Sequence, residues 1–238
     1  MSDDLKKGGD FDKNPPVTVN QYDASMKNFC GAYEQISVMA QGCLQSVVNK
    51  EADLLIVGAG TGAELCQFGQ SDNKWKMTGV DPSIEMLSIA KAKVEELNIQ
   101  NIEWVHGYTS DIEDGKLFDG ATCILVMHFL EDDGGKLNLL KDISSKLKVG
   151  APLVIVDAFG DKNSEEYSRL LGSWKQFVVI NGVDKQVVED GFNNQILQRL
   201  KFVTEDRLQE LFTEAGFSKG VRFYTSFLYG GWMLIKER

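Results

Sequence analysis

The sequence predicts a doubly wound α/β fold, in which helices cover both faces of a mostly parallel sheet. Apolar strand segments alternate with amphipathic helical segments from residue 54 to residue 156. A glycine-rich loop, Gly58-Ala59-Gly60-Thr61-Gly62, directly follows the first strand, and Asp81 ends the second. Strands that alternate with helices in this way favour a parallel sheet joined by right-handed crossovers.

Each element of this alternation has its own local pattern. Strands are predicted at 54–57, 77–80, 102–105, 121–126 and 153–156. The mostly apolar run 121–126 is typical of a strand that is buried on both faces. Apolar residues at helical spacing predict helices that begin at about residue 62 and cover 84–97 and 137–147.

The flanks of the alternating region differ from it. Charged residues, glycines and prolines predict a flexible segment at 1–16, followed by a single domain at 17–238. Helical spacing predicts N-terminal helices within 17–50, and the alternation stops at 159–203, where we expect a helical cap over the carboxyl edge of the sheet. A final hairpin, with strands at 221–228 and 232–236 joined by Tyr229-Gly230-Gly231, predicts a seven-stranded sheet with an antiparallel C-terminal strand.

Composition narrows the classes of function. The chain has 238 residues and a formal charge of −10, and its lysines are scattered, so a nucleic-acid partner is disfavoured. Its four cysteines show no C-x-x-C spacing and it has two histidines, so we expect no metal site. The absence of a signal-like start and of long apolar runs predicts a cytoplasmic protein without a membrane partner.

The glycine loop and Asp81 together predict a site for a nucleoside cofactor. Asp81 lies 23 residues beyond Gly58, where a carboxylate at a strand tip can accept both ribose hydroxyls. The loop fits two patterns. Gly58, Gly60 and Ala63 satisfy the dinucleotide pattern G-x-G-x-x-G/A, whereas Gly58, Gly60 and Gly62 satisfy the G-x-G-x-G run of enzymes that bind S-adenosylmethionine (SAM).

The order of further motifs resembles the class I SAM-dependent methyltransferases, from about Tyr33 to the C-terminus. The loop and Asp81 are followed by three segments in the order typical of that family: Phe118-Asp119-Gly120-Ala121 with Met127-His128-Phe129-Leu130, then Leu147-Lys148-Val149-Gly150-Ala151-Pro152, then Ala215-Gly216-Phe217. The resemblance implies a Rossmann-like fold, SAM as the cofactor and a small-molecule acceptor.

The resemblance also implies which residues bind the cofactor. Asp81 would hold the ribose, Met86 would pack on the adenine, and Tyr108 stands where the family often has an acid, so that Thr109 or Asp111 could make the polar contact. A weaker likeness to carboxy-SAM synthases would place Tyr33 over the methionine end, although Asn193 stands where those enzymes have an arginine. The expected cofactor-binding set is Tyr33, Gly58, Ala59, Gly60, Asp81, Pro82, Met86, Tyr108, Thr109 and Val126.

Catalytic residues are harder to assign, because a methyl group on a sulfonium needs alignment more than a nucleophile. His128, just beyond strand 4, is the candidate general base. Asp157 could hold a polar substrate, and His106 is expected to pack. Tyr22, Tyr167 and Trp174 either line a substrate pocket or belong to the core.

Two alternatives to a methyltransferase remain open in the sequence. An NAD(P)-dependent oxidoreductase would share the glycine loop, but none of the six tyrosines has a lysine four residues later, so the short-chain dehydrogenase pair is absent. A SAM-binding module without catalysis would share every motif. A homodimer formed through the helical cap is possible.

Overall fold

In the computed structural model, which describes Asp12 and residues 17–238, seven strands form one sheet in the order β3-β2-β1-β4-β5-β7-β6. Neighbouring strands are parallel except for the two pairs that include β7. The predicted fold class is therefore confirmed. The strands are β1 Asp53–Val57, β2 Lys76–Asp81, β3 Ile102–His106, β4 Gly120–Ile124, β5 Pro152–Ala158, β6 Val221–Ser226 and β7 Tyr229–Ile235.

Helices precede the sheet, connect its strands and form a cap after β5. Ser83, Ser164, Asp184 and Thr204 each accept a backbone N–H at a helix N-terminus, as capping side chains do. The helices are α1 Tyr22–Phe29, α2 Tyr33–Gln45, α3 Ala63–Gly69, α4 Ile84–Glu96, α5 Gly135–Ser145, α6 Glu165–Ile180, α7 Lys185–Gly191 and α8 Glu205–Glu214. A π-helical turn, Phe192–Ile196, extends α7.

The sheet has a hydrophobic core on each face because successive side chains of a strand point to opposite sides. Leu54 and Ile56 of β1 pack with α2, α3 and α4, whereas Leu55 and Val57 pack with α5 and α8. These residues are all buried. The sheet is thus covered on both sides, and its open edge lies at the carboxyl ends of the parallel strands.

The segment predicted as a cap is helical, and its apolar side chains share a core with β5, β6, β7 and the N-terminal helices. Trp174 of α6 is 1% exposed and packs edge-on against Phe192 and Tyr229, with ring centroids 4.7 Å and 5.2 Å apart. Its indole Nε1 donates a hydrogen bond to the backbone oxygen of Phe29, at 2.6 Å. The cap is therefore joined to α1 and to the start of β7. Tyr167 belongs to the same core, which confirms the core alternative for Tyr167 and Trp174.

The predicted turn of the terminal hairpin is wrong. The strands are joined by Phe227 and Leu228, with Phe227 at φ +50°, and Tyr229-Gly230-Gly231 lies inside β7. A Cβ atom on Gly230 would lie 2.4 Å from the ring of Trp232, and one on Gly231 would lie 2.8 Å from the ring of Phe223. These glycines make room for aromatic side chains. In the sequence alone, two glycines needed for packing look the same as two glycines in a turn.

Strand β4 is also shorter than predicted. It ends at Ile124 because Leu125 has φ +58°, and a 3₁₀ turn follows at Met127–Phe129. The predicted flexible segment 1–16 lies outside the described residues except for Asp12, which accepts backbone N–H bonds from Ile84 and Glu85 at the start of α4. Of the helices within residues 17–238, none is both long enough and apolar enough to cross a membrane.

Candidate functional site

A cleft opens at the carboxyl ends of β1, β2 and β4, the edge where ligands bind in open α/β sheets. It consists of two pockets, a first pocket of about 930 Å³ beside Asp81 and a second pocket of about 400 Å³ beside Glu64. Both pockets are lined by Tyr22, Gly58, Gly60, Ile124 and Leu125, so they meet across the glycine loop.

The glycine loop packs closely against α4 at one glycine and faces open space at another. A Cβ atom on Gly62, which has φ +86°, would lie 3.0 Å from the Cβ of Ala90 in α4. On Gly60, with φ +51°, it would meet one atom within 4 Å, the loop's own Gly58 carbonyl at 3.8 Å. Gly60 therefore leaves the backbone accessible from the cleft, as a ligand-binding loop requires.

Asp81 is fixed at the end of β2 by backbone groups. Its Oδ2 accepts the Gly60 N–H at 2.8 Å, and its Oδ1 accepts the Ser83 N–H at 2.9 Å. Burial raises the pKa of Asp81 to about 6, although both hydrogen bonds act in the opposite direction. Each carboxylate oxygen has a second lone pair, so the two N–H donors leave acceptor capacity for two hydroxyl groups.

The structure brings most of the predicted cofactor residues into the first pocket. Tyr108 and Thr109 line it after β3, whereas Asp111 accepts the Tyr108 N–H at 2.8 Å and closes the turn below them. Of the two candidates for the polar contact, Thr109 is therefore the one in the pocket wall. The predicted residues that line this pocket are Gly58, Gly60, Asp81, Pro82, Met86, Tyr108, Thr109 and Val126.

Tyr33 and Ala59 lie in the second pocket, together with a residue that the sequence reasoning missed. Glu64 lines this pocket and is 6% exposed, and its Oε1 accepts the hydroxyl of Thr122 at 3.3 Å. Burial raises the pKa of Glu64 to about 7. One feature of the sequence could have indicated Glu64. It is an acid two residues after Gly62, at the start of a helix that packs on a buried strand.

Helix α1 covers the cleft from the N-terminal side. Asp23 accepts the hydroxyl of Thr61 in the glycine loop at 2.6 Å and forms an ion pair with Lys93 of α4. The hydroxyl of Tyr33 lies 3.4 Å from the same carboxylate. Tyr22, the neighbour of Asp23, lines both pockets. The α1 tether, as we call the contacts of Asp23 with Thr61 and Lys93, thus holds Tyr22 where the two pockets meet.

The predicted general base does not face the cleft. His128 is 3% exposed and lines neither pocket, whereas its neighbours Phe129 and Leu130 do line the first. Its backbone N–H donates to Asp157 Oδ1 at 2.8 Å, and its Nδ1 lies 2.8 Å from the same oxygen without hydrogen-bond geometry. Asp157 is fully buried. His106, the other histidine, has its Nε2 3.0 Å from the carbonyl oxygen of Pro82.

The electrostatic character of the cleft is acidic. Among the described residues that line the two pockets, three are carboxylates, namely Glu64, Asp81 and Asp142, and none is lysine, arginine or histidine. The nearby ammonium of Lys93 is paired with Asp23. Carboxylates in a partly desolvated cleft favour a cationic ligand and oppose an anionic one.

Comparison with known proteins relates the chain to one family and one fold. Residues 54–150 match the family model of a methyltransferase domain. A search of curated proteins finds no matching sequence. Many solved structures share the fold, and three examples that cover more than nine-tenths of the chain follow.

The first is a SAM-dependent methyltransferase from Thermotoga maritima, described as a possible histamine N-methyltransferase; it is 18% identical, with a TM-score of 0.60 over 93% of this chain and 97% of that one. The second is magnesium protoporphyrin IX methyltransferase from Synechocystis with bound S-adenosylhomocysteine (SAH), 14% identical, with a TM-score of 0.65 over 92% and 94%. The third is 1,6-didemethyltoxoflavin-N1-methyltransferase from Burkholderia thailandensis, 18% identical, with a TM-score of 0.60 over 93% and 92%.

Likenesses at these identities establish the fold and do not transfer an acceptor to this chain. The family match covers β1 to the end of α5 and its following turn, which includes the glycine loop and Asp81. The strand order with an antiparallel β7 completes the architecture. Residues 54–150 thus match a methyltransferase domain, and the whole chain has the fold of the SAM-dependent methyltransferases to which it is similar.

Proposed function

We propose that this methyltransferase transfers the methyl group of SAM to a small-molecule acceptor, with the adenosine in the first pocket and the aminoacyl group in the second. The observation that carries the proposal is the charge of the cleft, whose described lining includes carboxylates and no basic side chain. SAM brings a sulfonium, an ammonium and one carboxylate to such a site, a net positive charge. A dinucleotide would bring a pyrophosphate, whose two negative charges would meet Asp81 and Glu64.

The residues present fit an adenosine. Asp81 has acceptor capacity for the ribose hydroxyls, and its backbone partners hold it in place. Met86 and Tyr108 offer apolar and aromatic surface to the base, and Thr109 offers a hydroxyl beside it. Gly60 leaves room for close approach of the ligand to the loop. These roles extend the predicted set, and Tyr33 is proposed to act at the aminoacyl end.

Bound SAM supplies a methyl group that is already activated, so the protein accelerates an in-line displacement by alignment and exclusion of water. Asp81 and the glycine loop orient the cofactor from the side of the sheet. Leu125, Val126 and Phe129, which line the first pocket, exclude water from its apolar wall. In this arrangement no side chain needs to act as a nucleophile.

A small acceptor fits a cleft that is bordered by Tyr22 of α1 and open between the two pockets. The net charge of −10 opposes a nucleic-acid substrate. The four cysteines are free thiols, which supports the proposed cytoplasmic location. Homodimerisation through the cap is supported by two exposed apolar residues, Ile180 and Val187, and size-exclusion chromatography with light scattering would test it.

Isothermal titration calorimetry with SAM, SAH and NAD tests the cofactor assignment. The wild-type chain is expected to bind SAM and SAH saturably and to give no heat with NAD. Release of SAH is then measured across a panel of hydroxyl, amine and carboxylate acceptors, and turnover with one of them supports the small-molecule assignment. Saturable NAD binding without SAM binding would refute the cofactor assignment, and SAM binding without turnover would favour a non-catalytic module.

A further inference from the structure

We propose that the carboxylate of Glu64 is the counter-ion for the α-ammonium group of the bound SAM. This inference rests on the proposed placement of the cofactor and extends it to a named polar contact. It concerns the second pocket, which Asp81 does not line.

The course of the cleft places the aminoacyl group beside Glu64. If the ribose lies on Asp81, the remainder of the cofactor must cross the glycine loop, because the two pockets meet at Gly58 and Gly60. Beyond that loop the walls of the second pocket come from Tyr22 of α1, from α2, from residues 58–64 and from the end of β4 at residues 124–125. Glu64 is the single carboxylate among the described residues of this wall. It is therefore the negative charge that a cationic group entering this pocket meets.

Within the part of the chain that the structure describes, no cation is among the groups that act on Glu64. Its side chain accepts the Thr122 hydroxyl at 3.3 Å, and its own backbone N–H also lowers its pKa, but burial dominates and raises that pKa to about 7. Asp81, the next charged group that acts on it, raises it further. The other titratable groups of the pocket are the phenols of Tyr22 and Tyr33. An ammonium group in contact with Glu64 would supply the missing positive charge.

A purely structural role for Glu64 makes a different prediction. An acid in the first turn of α3 that served only to hold β4 and α3 together would affect every ligand of the cleft alike. A counter-ion affects only the ligands that carry the ammonium group. Two compounds separate these roles, because SAH contains the aminoacyl group and 5′-methylthioadenosine has the same thioether nucleoside without it.

The experiment compares both ligands on wild type and on Glu64→Gln by isothermal titration calorimetry. We expect the variant to lose about tenfold or more in affinity for SAH, as when one partner of a buried charge pair is removed, and to keep its affinity for methylthioadenosine within about twofold. Equal losses for both ligands, or an unchanged affinity for SAH, would overturn the proposal. Failure of wild type to bind either ligand would overturn the proposed function as well.

A second measurement uses the wild-type chain and does not depend on the folding of a variant. At pH 7 the carboxyl of Glu64 is partly protonated, so pairing with an ammonium group releases roughly half a proton. Titrations in buffers of different ionisation enthalpy measure this release. SAH is expected to release more protons than methylthioadenosine, since any contribution of Asp81 is common to both. Equal proton release would contradict the assignment.

Discussion

The two pockets of the cleft are built from different parts of the chain. The first pocket is formed by strand ends, and Asp81 is held there by the N–H groups of Gly60 and Ser83, which belong to the backbone of the sheet and its loops. The second pocket is closed by helices that precede the sheet, and the α1 tether that holds them consists of side-chain contacts. The first is therefore a fixed site, and the second depends on contacts that single substitutions can remove.

The largest expected effect is a loss of ligand affinity at the first pocket. Asp81→Ala removes the acceptor of both ribose hydroxyls, and two hydrogen bonds to a charged group correspond to roughly 3 kcal/mol, or about a hundredfold in affinity for SAH. Titration calorimetry measures this loss. Asp142→Ala, which removes another carboxylate from the wall of the same pocket, is the matched control and should stay within about threefold. Equal affinity of Asp81→Ala and wild type would refute the ribose assignment.

Loss of the α1 tether is expected to change the rate at which ligand dissociates. Asp23→Ala removes the acceptor of Thr61 and Lys93, so α1 should open more easily and SAH should dissociate roughly tenfold faster, the size expected for a partly buried charged contact. Stopped-flow displacement with excess ligand measures the rate. Lys27→Ala provides the control, because Lys27 lies on the same helix in an exposed pair with Glu34. Equal dissociation rates for both variants would show that the tether does not control opening.

The pH dependence of binding should separate the two pockets. Burial places the pKa of Asp81 at about 6, so its carboxyl gains a proton as the pH falls through that value and then accepts hydroxyl hydrogen bonds poorly. The Kd for methylthioadenosine, which reaches the first pocket alone, should rise about fivefold to tenfold from pH 7 to pH 5. Asp81→Asn should bind weakly at both pH values. A flat profile for wild type would show that Asp81 stays ionised or makes no contact.

The smallest effect concerns stability without ligand. The pKa of Glu64 in the folded chain, about 7, lies above its ordinary value of 4.5, so the folded state holds more protons between these values and stability is lost as the pH rises through about 7. Glu64→Gln should therefore raise the melting temperature at pH 8 by roughly 3 °C or more and change it little at pH 5. Thermal denaturation followed by circular dichroism measures both. A lower melting temperature of Glu64→Gln than of wild type at pH 8 would contradict the predicted direction of the pKa shift.

The contrast between the two pockets also explains which features can be predicted from the sequence. The order of strands and helices, the loop and the position of Asp81 follow from local patterns and from the rule that parallel strands end at one edge. The burial of Glu64 and the contact of Asp23 with Thr61 join segments that are distant along the chain, and no local pattern encodes them. The direction of His128 depends on Leu125, whose positive φ turns the chain after β4.

The position of Tyr22 has a consequence for compounds that compete with the cofactor. Because Tyr22 lines both pockets, a nucleoside that fills only the first contacts α1 at one end, whereas a molecule that spans the whole cleft must pass that ring. Truncated analogues should therefore exchange rapidly. Slow dissociation is expected of inhibitors that extend past Tyr22 into the second pocket and keep α1 closed over them.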